Sequence, residues 1–276
     1  MGLSNLFNML YVFSFILGSI AGSFLNSVIY RTYTGKSFLI GRSFCPACKK
    51  TLKWYELIPV ISFLIQSGKC RGCSRKISPI YPLVEIISGI LTVGVVYFGI
   101  SNCTGVCDKV YFLILRDLFA IYVLIVLFVY DLRWKLVPDK IIIPAIGFIL
   151  IYNILLYLFN ISYISIIDMI IGVLIGGGFF AAQFWISKGR WVGGGDVRMG
   201  ALMGVILGWS DIVVALVIAY VLGSFISMFL LLWKRIGLQY KIPFVPFLAL
   251  STLITMYWGE YIVQYYFDLV NILVGI

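Results

Sequence analysis

The feature that most constrains this chain is a series of apolar runs, each about as long as a membrane-spanning helix. About 20 apolar residues of helix cross the hydrocarbon core of a bilayer. Inside lipid the backbone must satisfy its own hydrogen bonds, so only helices or closed barrels can span it, and long continuous runs favour helices. Eight spans are predicted, over residues 6–30, 80–100, 110–130, 140–160, 164–187, 197–209, 211–233 and 244–270. The sequence therefore predicts an all-α polytopic membrane protein.

The composition agrees with this class, because 62% of the residues are hydrophobic and only 12% are charged. A soluble domain has about twice that charged fraction. The first run lacks the basic start and the small-residue cleavage site of a signal peptide, so we interpret it as a retained helix.

The lysines and arginines predict the orientation of the spans, since cytoplasmic loops are rich in these residues. If segment 31–79 is cytoplasmic, all 21 basic residues except Lys109 and Arg116 fall on the cytoplasmic side. Both termini would then lie outside. The basic residues behind the net charge of +10 are accounted for by this topology, so we expect no nucleic-acid partner. Three parts are predicted: a first helix at 1–30, a cytoplasmic module at 31–79 and a membrane domain at 80–276.

Four cysteines in the cytoplasmic segment form two CxxC pairs separated by 21 residues, at Cys45, Cys48, Cys70 and Cys73. Four thiolates at this spacing suit tetrahedral Zn²⁺. Nearby lysines and arginines offset the negative charge of such a centre, and a reducing compartment disfavours disulfides. We predict a structural zinc site in a module too small to fold unaided. Redox-active pairs or free thiols are the alternatives.

Cys103 and Cys107 lie in a predicted external loop. Their spacing is compatible with either a disulfide or free thiols.

Two aspartates are the main candidates for chemistry, because the chain has no histidine and so cannot use Ser-His-Asp or Cys-His catalysis. Asp131 follows the third span, and Asp196 precedes the sixth, after Gly193-Gly194-Gly195. Both are predicted at the same membrane face, where a carboxylate is costly and needs a reason. Two close carboxylates can share a proton, so that one acts as base on water and the other as acid toward a peptide carbonyl.

Each aspartate also has a simpler interpretation, as a helix cap or an ion pair. Asp131 has Arg133 and Lys135 nearby, and Asp196 has Arg198. Asp139 precedes the fourth span and is interpreted first as a cap or positioning residue. The same-face pair with its glycine run favours the catalytic hypothesis.

Several segments together resemble the bacterial type IV prepilin peptidases, GxGD aspartyl proteases of the membrane. The resemblance covers nearly the whole chain. It is carried, in order, by residues 22–31, the paired CxxC motifs, and residues 58–62, 81–85, 131–139, 193–196 and 241–249. The family's late motif reads Pro-Phe-Gly-Pro, whereas this chain has Val245 at the glycine position. That departure concerns the local turn, and with it the fit of the substrate, but not the two aspartates.

The resemblance implies a bifunctional enzyme of the bacterial inner membrane. It would cleave the basic leader of type IV prepilins or type II secretion pseudopilins after a glycine at the cytoplasmic face. Asp131 and Asp196 would be catalytic, supported by Gly193 and Gly195. The new N-terminus would then be methylated by S-adenosylmethionine, for which no glycine-rich nucleotide motif marks a site.

Two other functions stay open at this point. One is a methyltransferase or pilin-binding assembly factor without proteolysis, and the other is a small transporter that uses Asp117 and Asp168. A further hypothesis is that Glu56 or Glu85 supplies negative charge for the basic leader.

Overall fold

The computed structural model describes residues 3–37, 41–101, 109–162, 164–234 and 242–274, and in these residues every element is helical apart from two isolated β-bridges. Cys103, Cys107 and Lys241 lie outside the described residues. The elements are α1 Leu3–Tyr33, a 3-10 helix η1 Trp54–Glu56, α2 Ile61–Ile65, α3 Ile80–Ser101, α4 Val110–Trp134, α5 Asp139–Leu158, α6 Ile166–Ser187, α7 Gly194–Lys234 and α8 Val245–Val274. The predicted all-α class is confirmed.

Six helices of the described chain are long and apolar enough to cross a membrane. They are α1, α3, α4, α5, α6 and α7, and each begins and ends within a few residues of a predicted span, except that α7 covers two. The last predicted span corresponds to α8, which is not among the six.

Helix α7 covers both the sixth and the seventh predicted span, because they follow one another without a loop. The break between them is a single residue, Gly208, whose φ of 79° and ψ of −172° are not helical. Only glycine adopts this backbone conformation without strain, so the residue type explains where the helix breaks.

The chain forms two compact units, unit 1 from Met1 to Val126 and unit 2 from Leu127 to Ile276. The boundary between them falls within helix α4. The predicted division at residue 79 stays a prediction.

In unit 1, helices α1 and α3 pack together through small residues. A Cβ at Gly18 would lie 2.7 Å from the Ser88 carbonyl oxygen, and one at Gly22 would lie 2.8 Å from Glu85 Cα. These glycines therefore let two helices approach closely within the chain, as expected for small residues at four-residue spacing in membrane helices.

In unit 2, glycines bring α6 and α7 together backbone to backbone. A Cβ at Gly172 would lie 2.6 Å from the Gly204 carbonyl oxygen, and Gly176 faces Gly200 in the same way. Helix α5 is tied to α7 by the buried Asn153, whose Nδ2 donates to the Val205 carbonyl at 2.9 Å. These contacts hold the start of α7, which carries Asp196.

Candidate active site

The four predicted metal ligands lie together in unit 1. The sulfur atoms of Cys45, Cys48, Cys70 and Cys73 are all within 4.8 Å of one another, and the Cys45 and Cys73 Sγ atoms are 4.0 Å apart. A tetrahedral ion with metal–sulfur bonds of about 2.3 Å would place its sulfurs about 3.8 Å apart. The cluster therefore has the size and the donor set to hold a metal ion.

The two CxxC pairs build the cluster with the same local turn, used twice. In the first, the Cys45 N–H donates to the Lys50 carbonyl at 2.9 Å, and in the second the Cys70 N–H donates to the Arg75 carbonyl at 3.0 Å. The residue after each second cysteine has a positive φ, 61° at Lys49 and 56° at Ser74. This turn aims both sulfurs of a pair to one side, so ligand geometry follows from local sequence.

The Cys70 sulfur is already surrounded by donors that favour its ionised form. The Gly72 N–H donates to it at 3.4 Å. The backbone N–H groups of Gly72 and Cys73 lower the pKa of the Cys70 thiol to about 7. Since a metal binds the thiolate and not the thiol, this environment suits a ligand.

Asp131 and Asp196 come together in unit 2, although 65 residues separate them in sequence. Asp131 lies in the last turn of α4, and Asp196 lies in the first turn of α7. Their carboxyl groups are close enough to interact electrostatically. The structure thus unites the two predicted catalytic residues at the ends of two helices.

The Asp131 side chain is buried, with 5% of the residue exposed, and its Oδ2 atom has no hydrogen-bond partner among the residues that the structure describes. A buried polar atom without a partner costs free energy and is uncommon in native proteins. An unsatisfied carboxylate oxygen beside a second carboxylate is an arrangement that can accept a water or a substrate group.

The two glycines of the motif act differently. The Gly193 N–H donates to Asp196 Oδ2 at 2.9 Å, so its backbone orients the carboxylate. Gly195 is needed for space, because a Cβ there would lie 2.5 Å from Val137 Cγ2. The start of α7 therefore packs directly on the loop that follows Asp131.

Arg198 forms its ion pair with Asp139 and not with Asp196. Asp139 is the first residue of α5, and the cap position before it is taken by Pro138, so the aspartate acts as a pairing residue. Among the described residues Asp196 forms no ion pair, so the alternative that Arg198 holds it by an ion pair is not supported. Asp196 is instead left for the carboxylate pair.

Val245 contributes to the candidate active site through a contact with Asp131 that the sequence did not reveal. It begins α8, is 2% exposed, and its backbone N–H interacts with the Asp131 carboxyl group. The first N–H groups of a helix have no partner inside the helix and attract negative charge. Because the contact uses the backbone, valine can make it as well as the glycine of the family motif. In the sequence, the signal that pointed to this position was the resemblance of residues 241–249 to the family's late motif.

The acids required by a transporter have local partners. Asp117 forms an ion pair with the adjacent Arg116 at 2.7 Å. Asp168 completes a capping box with Ser165 at the start of α6, where each residue accepts a hydrogen bond from the other's backbone N–H. The presence of each carboxylate is therefore accounted for by a local structural interaction.

Comparison with known proteins identifies the relatives of the chain. The profile of the bacterial peptidase A24 N-terminal domain matches residues 16–98, and that of the type IV leader peptidase family matches residues 118–228. A prepilin leader peptidase/N-methyltransferase of Aeromonas hydrophila is 30% identical, over 94% of this chain and 93% of its own length. One of Bacillus subtilis is 31% identical, over 91% of this chain and 96% of its own length. No solved structure matches the chain significantly.

The two profiles follow one another along the chain, one on the segment that contains the cysteine cluster and the other on the segment that contains both aspartates. The full-length relatives cover the same span without a large gap at either end. The chain belongs to the type IV leader peptidase family.

Proposed function

We propose that this protein cleaves the leader peptide of type IV prepilins or pseudopilins with Asp131 and Asp196, and methylates the new N-terminus. The observation that carries the cleavage is the pair of carboxyl groups at the ends of α4 and α7. The methylation is supported by the names of the full-length relatives.

The chemistry follows from two carboxyl groups that share one proton, since two neighbouring carboxylates cannot both ionise cheaply. The ionised carboxylate removes a proton from a water, which attacks the scissile carbonyl. The protonated partner donates to the carbonyl oxygen. When the resulting intermediate collapses, the C–N bond breaks and the leaving amine takes the proton that the first carboxylate removed from the water. The Gly193 and Val245 N–H groups hold the two carboxyl groups in place. Their titration belongs to the pair and not to either residue.

The four cysteines are proposed as ligands of a structural Zn²⁺. Four thiolates leave no open coordination position, so the ion would hold the module together and take no part in the reaction. S-adenosylmethionine is the proposed methyl donor. We place the protein in the bacterial inner membrane, with the cysteine module and the aspartate pair at the cytoplasmic face, because the basic residues gather there.

The test uses purified protein and a membrane-inserted prepilin, with leader removal followed by mass. Asp131→Asn and Asp196→Asn keep the shape of each side chain but remove its acid–base capacity, and both should bind prepilin without cleaving it. Asp211→Asn, which removes a carboxylate from the same helix as Asp196, is the matched control and should cleave normally.

If either active-site variant cleaves at the wild-type rate, the two-carboxylate mechanism is wrong. An assembly factor or methyltransferase without proteolysis would then be favoured. A methyl mass shift on the wild-type product would support the second activity.

A further inference from the structure

A cavity of about 420 Å³ lies within unit 1, between helices α1 and α3 and the cysteine module. Sites for small molecules commonly have volumes of about 300–1,000 Å³. Four of the segments that resemble the family line it, through Asn26 in residues 22–31, Cys45 and Cys70 in the paired CxxC motifs, Ser62 in residues 58–62, and Glu85 in residues 81–85. The mechanism proposed for the aspartates uses none of them.

Glu85 is a buried carboxylate with no cationic partner in the described part of the chain. It is 9% exposed and belongs to none of the ion pairs found there. Its Oε2 atom accepts a hydrogen bond from the Val60 N–H at 2.8 Å. A buried carboxylate without a counter-charge is costly, so a cationic group in the cavity would be strongly favoured.

The backbone that holds Glu85 is strained. Val60 has a φ of 59° and a ψ of −50°, and the Ile61 N–H donates to the Pro59 carbonyl at 2.5 Å. This is a tight γ-turn of the rare, strained kind, and a β-branched residue is especially unfavourable in it. Such strain persists where the surroundings impose it and is concentrated at functional sites. Here it aims the Val60 N–H at Glu85.

The other acidic residue of the cavity is already neutralised. Glu56 accepts from the Lys53 N–H at 2.8 Å and pairs with the Lys50 ammonium at 3.3 Å. These contacts, the backbone bond first, hold the pKa of Glu56 below its usual value. Glu85 is therefore the carboxylate left to meet a cation.

Basic groups line the same cavity. Arg31 is 7% exposed and donates to the carbonyls of Gly41 and Arg42, and Arg75 and Lys76 also contribute to the lining. A purely cationic ligand, such as the basic leader of a prepilin, would be repelled by these groups. A molecule that carries both signs matches the cavity better.

We propose that this cavity binds the methyl donor, S-adenosylmethionine, an inference that rests on the methylation in the proposed function. The donor has a sulfonium, an ammonium, a carboxylate and an aromatic base. Glu85 takes the cationic groups, Arg75 and Lys76 take the carboxylate, and the rings of Tyr30 and Tyr81 offer apolar surface for the base. Bound there, the donor supplies an electrophilic methyl group.

The test measures binding of radiolabelled S-adenosylmethionine to the full-length, zinc-loaded protein in detergent, by equilibrium dialysis. Glu85→Gln keeps an oxygen for the Val60 N–H but removes the charge, and affinity should fall about ten- to a hundredfold. Asp117→Asn removes another carboxylate of unit 1, one outside the cavity lining, and should bind normally. Donor binding is measured without prepilin and without cleavage, so a failure of this proposal is distinguishable from a failure of the aspartate mechanism.

A photoreactive analogue of the donor provides a second measurement that needs no variant. Labelling should fall on peptides that contain residues 23–31 or 75–85, and excess unlabelled donor should suppress it. Labelling confined to residues 127–276 would overturn the proposal, as would wild-type affinity in Glu85→Gln. So would a Glu85→Gln variant that loses binding of a basic leader peptide but keeps the donor, because the cavity would then serve the substrate.

Discussion

Substitution of Gly195 by alanine tests how the active site is assembled. The new Cβ would lie 2.5 Å from Val137 Cγ2 and 2.9 Å from Val137 Cβ. Ordinary carbon–carbon contacts begin at about 3.5 Å, so the start of α7 and the loop must separate by about 1 Å. Asp196 is the next residue and moves with the helix. A displacement of about 1 Å in a catalytic group can lower a rate about a hundredfold.

The assay is the initial rate of prepilin cleavage at saturating substrate, together with the melting temperature. Gly194→Ala is a matched control, since no atom from elsewhere in the described part of the chain lies within 4 Å of a Cβ there. It adds the same methyl group one residue earlier and should cleave normally.

Val137→Ala in the Gly195→Ala background removes the closer of the two clashes and leaves the other. Partial recovery of the cleavage rate is therefore expected. Wild-type cleavage by Gly195→Ala alone, or a double variant no better than the single one, would refute the argument that this contact sets the position of Asp196.

Three other changes follow from the same structure. Val245→Pro removes the N–H that faces Asp131 while remaining compatible with the first position of a helix, so cleavage should fall about tenfold. Val245→Gly keeps this N–H and should cleave normally. Equal cleavage rates for the Val245→Pro and Val245→Gly variants would exclude a role for this N–H. Gly204→Val should prevent α6 from packing on α7 and lower the yield of folded protein in size-exclusion chromatography. Gly178→Val should not lower the yield, because no residue from elsewhere in the described chain lies within 4 Å of a Cβ at that position. Similar yields of the two variants would count against backbone-to-backbone packing. Cys45→Ser should reduce zinc, measured by elemental analysis, from about one ion per chain to nearly none; a full zinc content would contradict the four-cysteine ligand set.

Several features of the structure could be predicted from local sequence patterns alone. The apolar runs predicted α1, α3, α4, α5 and α6 to within a few residues, because lipid requires each span to satisfy its own backbone. The two CxxC motifs predicted the metal-ligand cluster, since each pair is arranged by hydrogen bonds within about six residues of chain. The Gly-Gly-Gly-Asp motif and the charge distribution indicated Asp196 and its partner.

Contacts between distant segments could not be predicted in this way. Arg198 lies two residues from Asp196 in sequence, yet it pairs with Asp139, 59 residues away. The contact of the Val245 N–H with Asp131 joins residues on α8 and α4, and the unit 1 cavity needs α1, the module and α3 together.

The sequence by itself therefore determined the membrane class, the helices and the identity of the candidate metal and acid groups. Each of these depends on hydrophobicity or spacing over a few turns of chain. Only the tertiary structure decided which groups meet, which carboxylates are neutralised and which are left buried without a counter-charge. The physical reason is that pairing and burial depend on the packing of helices far apart in sequence, and that packing is set by glycine contacts that no local pattern assigns to a partner.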